Sequence, residues 1–206
     1  MTQSAVTQIY LASRSPRRGE LLQQIGIRFE VLPSDVDESV RAAEAPEHYV
    51  LRLAREKARV CVQMLAARGL PLRPVLAADT TVCIDGMILG KPADDDEAAA
   101  MLLRMSDRWH AVHTAVALAH ADRIETALSS TLVEVSPLPS AAIDAYVASG
   151  EPRDKAGSYG IQGLAGSFIR RIEGSYSGVM GLPLYETAEL LKKFGIHVLQ
   201  KPDSHE

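Results

Sequence analysis

A hairpin signal within residues 75–92 constrains the fold more than any other feature of the sequence. Two apolar runs flank the dipeptide Asp85-Gly86. Both central residues of a two-residue type I′ turn need positive φ, which Asp-Gly tolerates well. The first run is broken by Asp79, and the second ends at Lys91. We therefore expect a small ribbon with a carboxylate and an ammonium at its open ends, although a turn-capping Asp and a solvated Lys are the simpler interpretation.

The composition predicts one globular domain with a substantial core. The chain has 206 residues, of which 47% are hydrophobic and 23% charged, and its net charge is −4. This length suits a single domain, residues 1–206, with a polar tail at residues 201–206. The negative net charge argues against nucleic-acid binding through a basic surface. No apolar run approaches the roughly 20 residues that cross a bilayer, so we expect no membrane insertion.

Two further features concern the cellular compartment. Residues 1–8 lack the basic and apolar regions of a signal peptide, which predicts a cytoplasmic protein. Cys61 falls in a helical pattern and Cys83 in a strand pattern, and neither belongs to a ligand-spaced motif. Both cysteines are therefore expected to be reduced core residues.

The periodicity of apolar residues predicts alternating strands and helices, with a long hairpin in the middle of the chain. This order favours an α/β fold: a mixed, twisted sheet flanked by helices, in two lobes with a central cleft. Two glycine-bearing loops, 151–163 and 176–181, interrupt the pattern. The predicted helices are 16–25, 46–68, 95–105, 140–149 and 183–194. The predicted strands are 9–11, 29–33, 75–84, 87–91, 109–119, 124–135, 168–172 and 196–199.

The first predicted helix begins in an unusual way. Ser15 is a natural N-cap and Pro16 a natural first helical residue, but Arg17 and Arg18 follow. Cations at a helix N-terminus oppose the helix dipole. With Ser13 and the backbone N–H groups of the helix start, they would form a good anion site, with phosphate as the obvious ligand. Arginines that simply point to water remain the alternative.

Two other segments carry charges in unexpected places. Lys57 interrupts the apolar stripe of helix 46–68, where a lysine either snorkels to solvent or reaches into a cleft. On both interpretations, methionine at this position should preserve thermal stability. Loop 151–163 holds four charged residues and three glycines, a composition that suits close approach of backbone to a ligand. A flexible linker is the alternative.

Together, these charges indicate a polyphosphate ligand with a divalent metal. A P-loop enzyme has no support without a Walker-type loop, nor has acyl transfer without a Ser-His-Asp grouping. From the residues alone, we predict a phosphate-handling α/β enzyme. The cations are Arg17, Arg18, Lys57, Lys91 and Lys155, and the carboxylates are Glu38, Asp79 and Asp154.

Five segments of the sequence read as motifs: Ser13–Arg18, Arg55–Ala58, Ala78–Thr80, Gly90–Pro92 and Gly157–Gly163. In this order they resemble the Maf family of nucleoside triphosphate pyrophosphatases, over about residues 10–199. The resemblance implies a fold related to that of the inosine triphosphate pyrophosphatases. It implies cleavage of a nucleoside triphosphate between the α- and β-phosphates, with Mg²⁺ or Mn²⁺ as the divalent cation. It is compatible with a homodimer.

Carried over by motif position, the resemblance assigns roles to individual side chains. Asp79 matches the catalytic acid that activates the attacking water, and we expect Asp79 and Glu38 to hold the metal. Positions that set substrate choice are matched by Arg17, Thr80 and Gln162. The other substrate-binding positions are Ser13 and the phosphate-binding Arg18, Lys57 and Lys91.

The late motif also bears on the substrate. Its Gly-Ile-Gln-Gly form, residues 160–163, resembles the dTTP/UTP branch, whereas the 7-methyl-GTP branch carries a Glu-containing segment there. Arg14 departs from the family pattern, since relatives often have a small residue at that position. Two alternatives stay open: a pyrophosphatase for 7-methyl-GTP or other modified nucleotides, and a septum-formation regulator that acts by partner binding.

Overall fold

The computed structural model describes residues 8–198, which form one seven-stranded sheet with helices on both sides. Its strands are β1 (Ile9–Leu11), β2 (Phe29–Val31), β3 (Val75–Ile84), β4 (Met87–Leu89), β5 (Trp109–His120), β6 (Arg123–Val135) and β7 (Ile169–Glu173). Its α-helices are α1 (Pro16–Gln24), α2 (Pro46–Ala67), α3 (Asp95–Met105), α4 (Ser140–Ala148), α5 (Tyr176–Met180) and α6 (Leu184–Lys193). Short 3₁₀ helices lie at Glu151–Asp154, Ala156–Ser158 and Leu164–Phe168.

The sheet is mixed, as the sequence predicts. Its strand order is β2-β1-β3-β5-β6-β7, and β4 pairs with β3 outside this path. β1 runs parallel to β2 and β3, whereas the remaining pairs are antiparallel. Asp85 and Gly86 have φ values of 54° and 73°, so the expected left-handed turn joins β3 to β4.

The middle of β3 has one edge that no strand covers, and this open edge leaves room for a cleft. β1 pairs with Val75 and Leu76, and β4 pairs with residues 82–84 on the same edge. β5 covers the opposite edge throughout residues 75–83. Residues 78–81 therefore have no strand beside them on the first edge. The carbonyl of Leu76 accepts a hydrogen bond from the N–H of Ala12, the residue after β1. Peptide groups alternate in direction along a strand, so those of Ala78 and Thr80 also point into the gap.

Three apolar clusters divide the structure into two lobes. One cluster packs α2 on one face of the sheet, and a second packs α1 and α6 on the other. The third joins α3 and α4 to the far end of β3 and to β4. The cleft between these clusters confirms the predicted two-lobed α/β architecture. Cys61 and Cys83 are free and buried, as expected.

Two of the predicted elements are wrong. The expected loop 176–181 contains α5, because the Ser175 hydroxyl accepts a hydrogen bond from Gly178 N and caps a short helix. Residues 196–198 form no strand, since neither edge strand of the sheet, β2 or β7, pairs with them. Leu199 and the predicted tail 201–206 lie outside the described residues. Within residues 8–198, no helix has the length and apolar character needed to cross a membrane.

Gly157 fixes the late loop against the hairpin. Its φ is +68°, and a Cβ built there would come within 2.7 Å of Val82 Cγ2. Its N–H donates to the carbonyl of Gly90 over 3.0 Å. The strand-to-loop contact therefore requires glycine on both conformational and steric grounds.

We expect Gly157→Ala to destabilise the fold by about 2–5 kcal/mol, through backbone strain plus the clash with Val82. Gly86→Ala is the matched control, because Gly86 has φ +73° but nothing within 4 Å of the added Cβ. It should lose only the strain of about 1–2 kcal/mol. Thermal unfolding measures both, and equal losses would contradict the steric account.

Candidate active site

The structure brings every predicted site residue to one cleft of about 420 Å³, at the open edge of β3. The start of α1, the middle of α2, the end of the β3–β4 hairpin, loop 154–162 and the end of α5 form its walls. The nine predicted side chains that line it are Ser13, Arg17, Arg18, Glu38, Lys57, Asp79, Thr80, Lys91 and Gln162. Their individual roles remain predictions.

The cleft concentrates positive charge on a chain whose net charge is −4. Six cationic side chains and three carboxylates line it. A concave surface with this excess of cations attracts a polyanion, and low-dielectric walls strengthen the attraction. The cations are Arg14, Arg17, Arg18, Lys57, Lys91 and Lys155, and the carboxylates are Glu38, Asp79 and Asp154.

Lys57 lies between two of these carboxylates. Its Nζ is 2.7 Å from Asp79 Oδ1 and 2.6 Å from Glu38 Oε1. Lys57 and Asp79 are 9% and 7% exposed, whereas the Glu38 side chain is half-exposed. Of the two sequence interpretations of Lys57, the structure therefore supports the ammonium that reaches into a cleft.

Burial raises the pKa of Asp79, and the nearby charges of Lys57 and Arg18 lower it only in part. The pKa of Glu38 is lowered. Burial by itself would raise it, but the hydrogen bond and charge of Lys57, together with the charges of Lys91 and Arg18, outweigh burial. The second Asp79 oxygen, Oδ2, has no hydrogen-bond donor among residues 8–198. Asp79 thus combines a raised proton affinity with a carboxylate oxygen that can accept a proton.

Arg18 is fixed by three contacts around the start of α1. Its Nε donates to the carbonyl of Gly181 at 2.8 Å, and its two terminal nitrogens donate to Ser13 Oγ and Thr80 Oγ1, each at 3.2 Å. Burial lowers the pKa of Arg18. The Ser15 side chain makes no capping hydrogen bond, so the first-turn N–H groups keep their capacity to bind an anion.

Thr114 supports this arrangement, and sequence reasoning missed it. It is fully buried on β5, with Oγ1 2.9 Å from Thr80 Oγ1 and 2.8 Å from the carbonyl oxygen of Gly178. A carbonyl can only accept, so the single proton of Thr114 goes to Gly178 and the Thr80 hydroxyl donates to Thr114. Threonine is common in strands, so the sequence gives no signal of this role.

The remaining predicted cations differ in how they are held. Arg17 lies 3.9 Å from Asp154, and Lys91 is exposed with no ion pair among residues 8–198. The Arg14 guanidinium pairs with Asp35 at 2.6 Å. This pairing directs the unusual Arg14 side chain to an exposed acidic partner.

Gln162 occupies a tight turn on the opposite wall. The turn, residues 160–163, is closed by a hydrogen bond of 2.9 Å from Gly163 N to the carbonyl of Gly160. Gln162 is exposed, and its carboxamide has no hydrogen-bond partner within residues 8–198. Both ends of the amide therefore remain able to bind a ligand.

The family model described as "Maf-like protein" matches residues 8–194. The chain belongs to the Maf family. A Methylobacillus flagellatus protein named dTTP/UTP pyrophosphatase is 63% identical over 193 residues, which cover 94% of this chain and 96% of that protein. A Bordetella avium protein of the same name is 55% identical over 192 residues, 91% of this chain and 96% of that one.

Among solved structures, the nucleoside-triphosphatase / dITP/XTP pyrophosphatase of Mycobacterium abscessus matches with a TM-score of 0.39 and 20% identity. The match covers 64% of this Maf-family chain and 74% of that one. The Staphylococcus aureus Ham1 protein matches with a TM-score of 0.40 and 16% identity, over 62% and 71% of the two chains. Nothing about the activity of this chain follows from such remote likenesses.

The contacts of Lys57 reverse the expectation that methionine is tolerated there. Lys57→Met would leave the buried Asp79 carboxylate without its nearest cation, a change that typically costs about 3–5 kcal/mol. The same loss raises the pKa of Asp79 further, because Lys57 opposes the effect of burial. A raised native pKa gives stability at low pH that is lost as pH rises through that pKa. The variant should therefore be least stable near neutral pH and recover on acidification.

Urea unfolding at several pH values measures this effect. Adding Asp79→Asn to Lys57→Met should restore stability at neutral pH and remove the recovery on acidification, because the unpaired carboxylate at position 79 is gone. Lys91→Met is the control, since an exposed lysine without an ion pair should change stability by no more than about 0.5 kcal/mol. Wild-type stability of Lys57→Met at neutral pH would refute the account.

Proposed function

We propose that the chain is a nucleoside triphosphate pyrophosphatase that hydrolyses dTTP and UTP to the monophosphate and pyrophosphate. The observation that carries the proposal is the buried Asp79 carboxylate at the open edge of β3, inside a cleft walled by cations. Relatives with 55–63% identity bear the name dTTP/UTP pyrophosphatase, which supports this choice of substrate.

Asp79 would act as the general base. A water molecule attacks the α-phosphorus, its proton passes to Asp79 Oδ2, and a new P–O bond forms. The bond from the α-phosphorus to the bridging oxygen breaks, and pyrophosphate leaves with the electron pair. A base works best when its pKa lies near the working pH, so the raised pKa of Asp79 suits this role.

The cations would bind the triphosphate and stabilise charge that develops during bond cleavage. Arg17 and Arg18 extend from the first turn of α1, where the helix dipole adds to their attraction for phosphate. Lys91 projects from the end of the hairpin on the other side of the gap. Lys57 would orient Asp79 through their hydrogen bond and keep its Oδ1 occupied, so that Oδ2 faces the water.

The donor set around Asp79 fits a divalent cation that arrives with the substrate. No cluster of three or more His, Cys, Asp or Glu side chains within residues 8–198 could hold a metal alone. Mg²⁺ is commonly bound by one or two carboxylates together with phosphate oxygens and water. Asp79 and Glu38, bridged by Lys57, would supply those carboxylates. When bound, the cation would neutralise phosphate charge.

Gln162 would read the base. Its carboxamide offers one acceptor and two donors, which complement the N3–H and a carbonyl of uracil or thymine. Cytosine presents an acceptor at N3 and an amino group at C4, and purines differ further in shape. A bound base that covered the carboxamide without pairing with it would lose about 1–3 kcal/mol of binding free energy per unpaired group.

The proposal makes Asp79→Asn the decisive variant. We expect turnover of UTP to fall about 10²–10⁴-fold, because a positioned general base is lost. The fold should remain, since Lys57 keeps its pair with Glu38.

In the wild type, kcat/KM should fall on acidification. The fall should begin at a pH above the ordinary pKa of an aspartate, because burial raises the pKa of Asp79. Pyrophosphate release across pH, with circular dichroism of the variant, checks both; near wild-type turnover would exclude Asp79 as the base.

The second expected outcome concerns substrate choice. With Mg²⁺ or Mn²⁺ present, UTP and dTTP should be hydrolysed well, CTP less well and purine triphosphates poorly. Gln162→Glu should lower pyrimidine hydrolysis, because an ionised carboxylate cannot donate to a carbonyl. Pyrophosphate release from a panel of triphosphates measures this, with Gln63→Glu as a charge-matched control, because Gln63 is exposed on α2 and does not line the cleft. Preference for GTP or 7-methyl-GTP would overturn the assignment, and no turnover of any triphosphate would favour a partner-binding regulator.

The cytoplasmic location, the homodimer and the lack of nucleic-acid binding stay predictions.

A further inference from the structure

A polar pair outside the cleft holds both ends of the turn 160–163. Tyr146 on α4 accepts a hydrogen bond from Gly160 N at 3.3 Å and donates to Glu151 Oε1 at 2.9 Å. The same Glu151 carboxylate accepts from Leu164 N at 2.9 Å and from Ala165 N at 3.5 Å. One bonded pair of side chains thus ties down the backbone before and after the turn.

The turn also packs tightly against Glu151 and the neighbouring Lys155. A Cβ added to Gly163 would come within 2.5 Å of the Glu151 carboxylate carbon. A Cβ added to Gly160 would lie 2.9 Å from Lys155 Cε, and Lys155 Nζ donates to the Glu151 carbonyl at 2.6 Å. The glycines therefore let the turn sit directly on Glu151 and Lys155, which restricts where the Gln162 side chain can be.

Glu151 and Tyr146 are not among the residues that line the cleft. Tyr146 is 3% exposed, and burial, together with its hydrogen bond to Glu151, raises the pKa of its hydroxyl. The hydroxyl therefore stays protonated and can donate to the carboxylate. The groups that surround Asp79 come from α1, α2, β3 and the loop that carries Glu38, and none of them forms a hydrogen bond with the turn within residues 8–198.

We propose that Tyr146 and Glu151 are positioning residues that determine base specificity by fixing the turn that carries Gln162. This inference rests on the proposed function, in which Gln162 reads the base. A loosened turn would let the carboxamide follow a mismatched base, so discrimination falls while the chemistry at Asp79 continues. A purely structural role for the pair would lower activity on all substrates alike.

The test compares kcat/KM for UTP and CTP in Tyr146→Phe, which removes the bridging hydroxyl and keeps the ring. We expect the UTP-to-CTP ratio to fall about 3- to 10-fold, the usual effect of losing one buried hydrogen bond. Gly163→Ala should lower the ratio as well, because the added methyl displaces the turn from Glu151. It provides a second route to the same effect if Tyr146→Phe does not fold.

Ile143→Val is the matched control. Ile143 is buried on α4 in the same apolar cluster as Tyr146, but its side chain is apolar and cannot hydrogen-bond the turn. This variant should lower the melting temperature slightly without changing the ratio. If Tyr146→Phe and Ile143→Val leave the ratio equally unchanged, the pair is only structural and the inference is overturned.

A cycle with Gln162→Ala separates this inference from the proposed function. If Gln162 reads the base, Gln162→Ala lowers the ratio, and adding Tyr146→Phe to it has no further effect. A further drop in the double variant would show that Tyr146 acts by another route and would overturn the inference. If Gln162→Ala leaves the ratio unchanged, base reading by Gln162 is refuted, and the positioning role with it.

Discussion

Two ionised groups, the Lys57 ammonium and the Asp79 carboxylate, meet at 2.7 Å in a largely buried position. The Asp79 carboxylate buried alone would cost several kcal/mol, so Asp79 requires Lys57, whereas Lys57 also pairs with Glu38. Lys57 lies on α2 and Asp79 on β3, and the pair therefore fixes how the helix sits on the sheet at the site. The half-exposed Glu38 adds a second carboxylate to the same ammonium and leaves the group open toward the cleft.

The cleft exists because β1 and β4 leave the middle of β3 uncovered. Side chains alternate along a strand, so Asp79 faces α2 whereas Thr80 faces Arg18 on the other side of the sheet. A ligand at the open edge can reach both faces as well as the backbone between them. This geometry lets the proposed base, Asp79, and the proposed phosphate-binding contact of Thr80 with Arg18 be adjacent in sequence without competing for the same space.

Much of the fold and of the candidate site followed from local signals. Three features depend only on residues close together in the chain, and the structure contains all of them. They are the Asp85-Gly86 turn, the start of α1 at Pro16 and the apolar face of α2. Six of the nine predicted site residues carry charges in unexpected places, and Ser13 lies at the start of α1, whereas Thr80 and Gln162 were predicted from the family resemblance alone. Short elements were predicted less well: α5 depends on one cap, and residues 196–198 had too little local pattern to decide between strand and coil.

The sequence by itself therefore determined which side chains line the cleft and which elements carry them. Only the tertiary structure decided the partners of those side chains. The pairing of Lys57 with Asp79 spans 22 positions, and the contact of Thr114 with Gly178 spans 64. Thr114 fits an ordinary strand pattern and Tyr146 an ordinary helix pattern, so the sequence does not show which groups their buried hydroxyls bond. Such residues become visible only when folding brings their hydrogen-bond partners within reach.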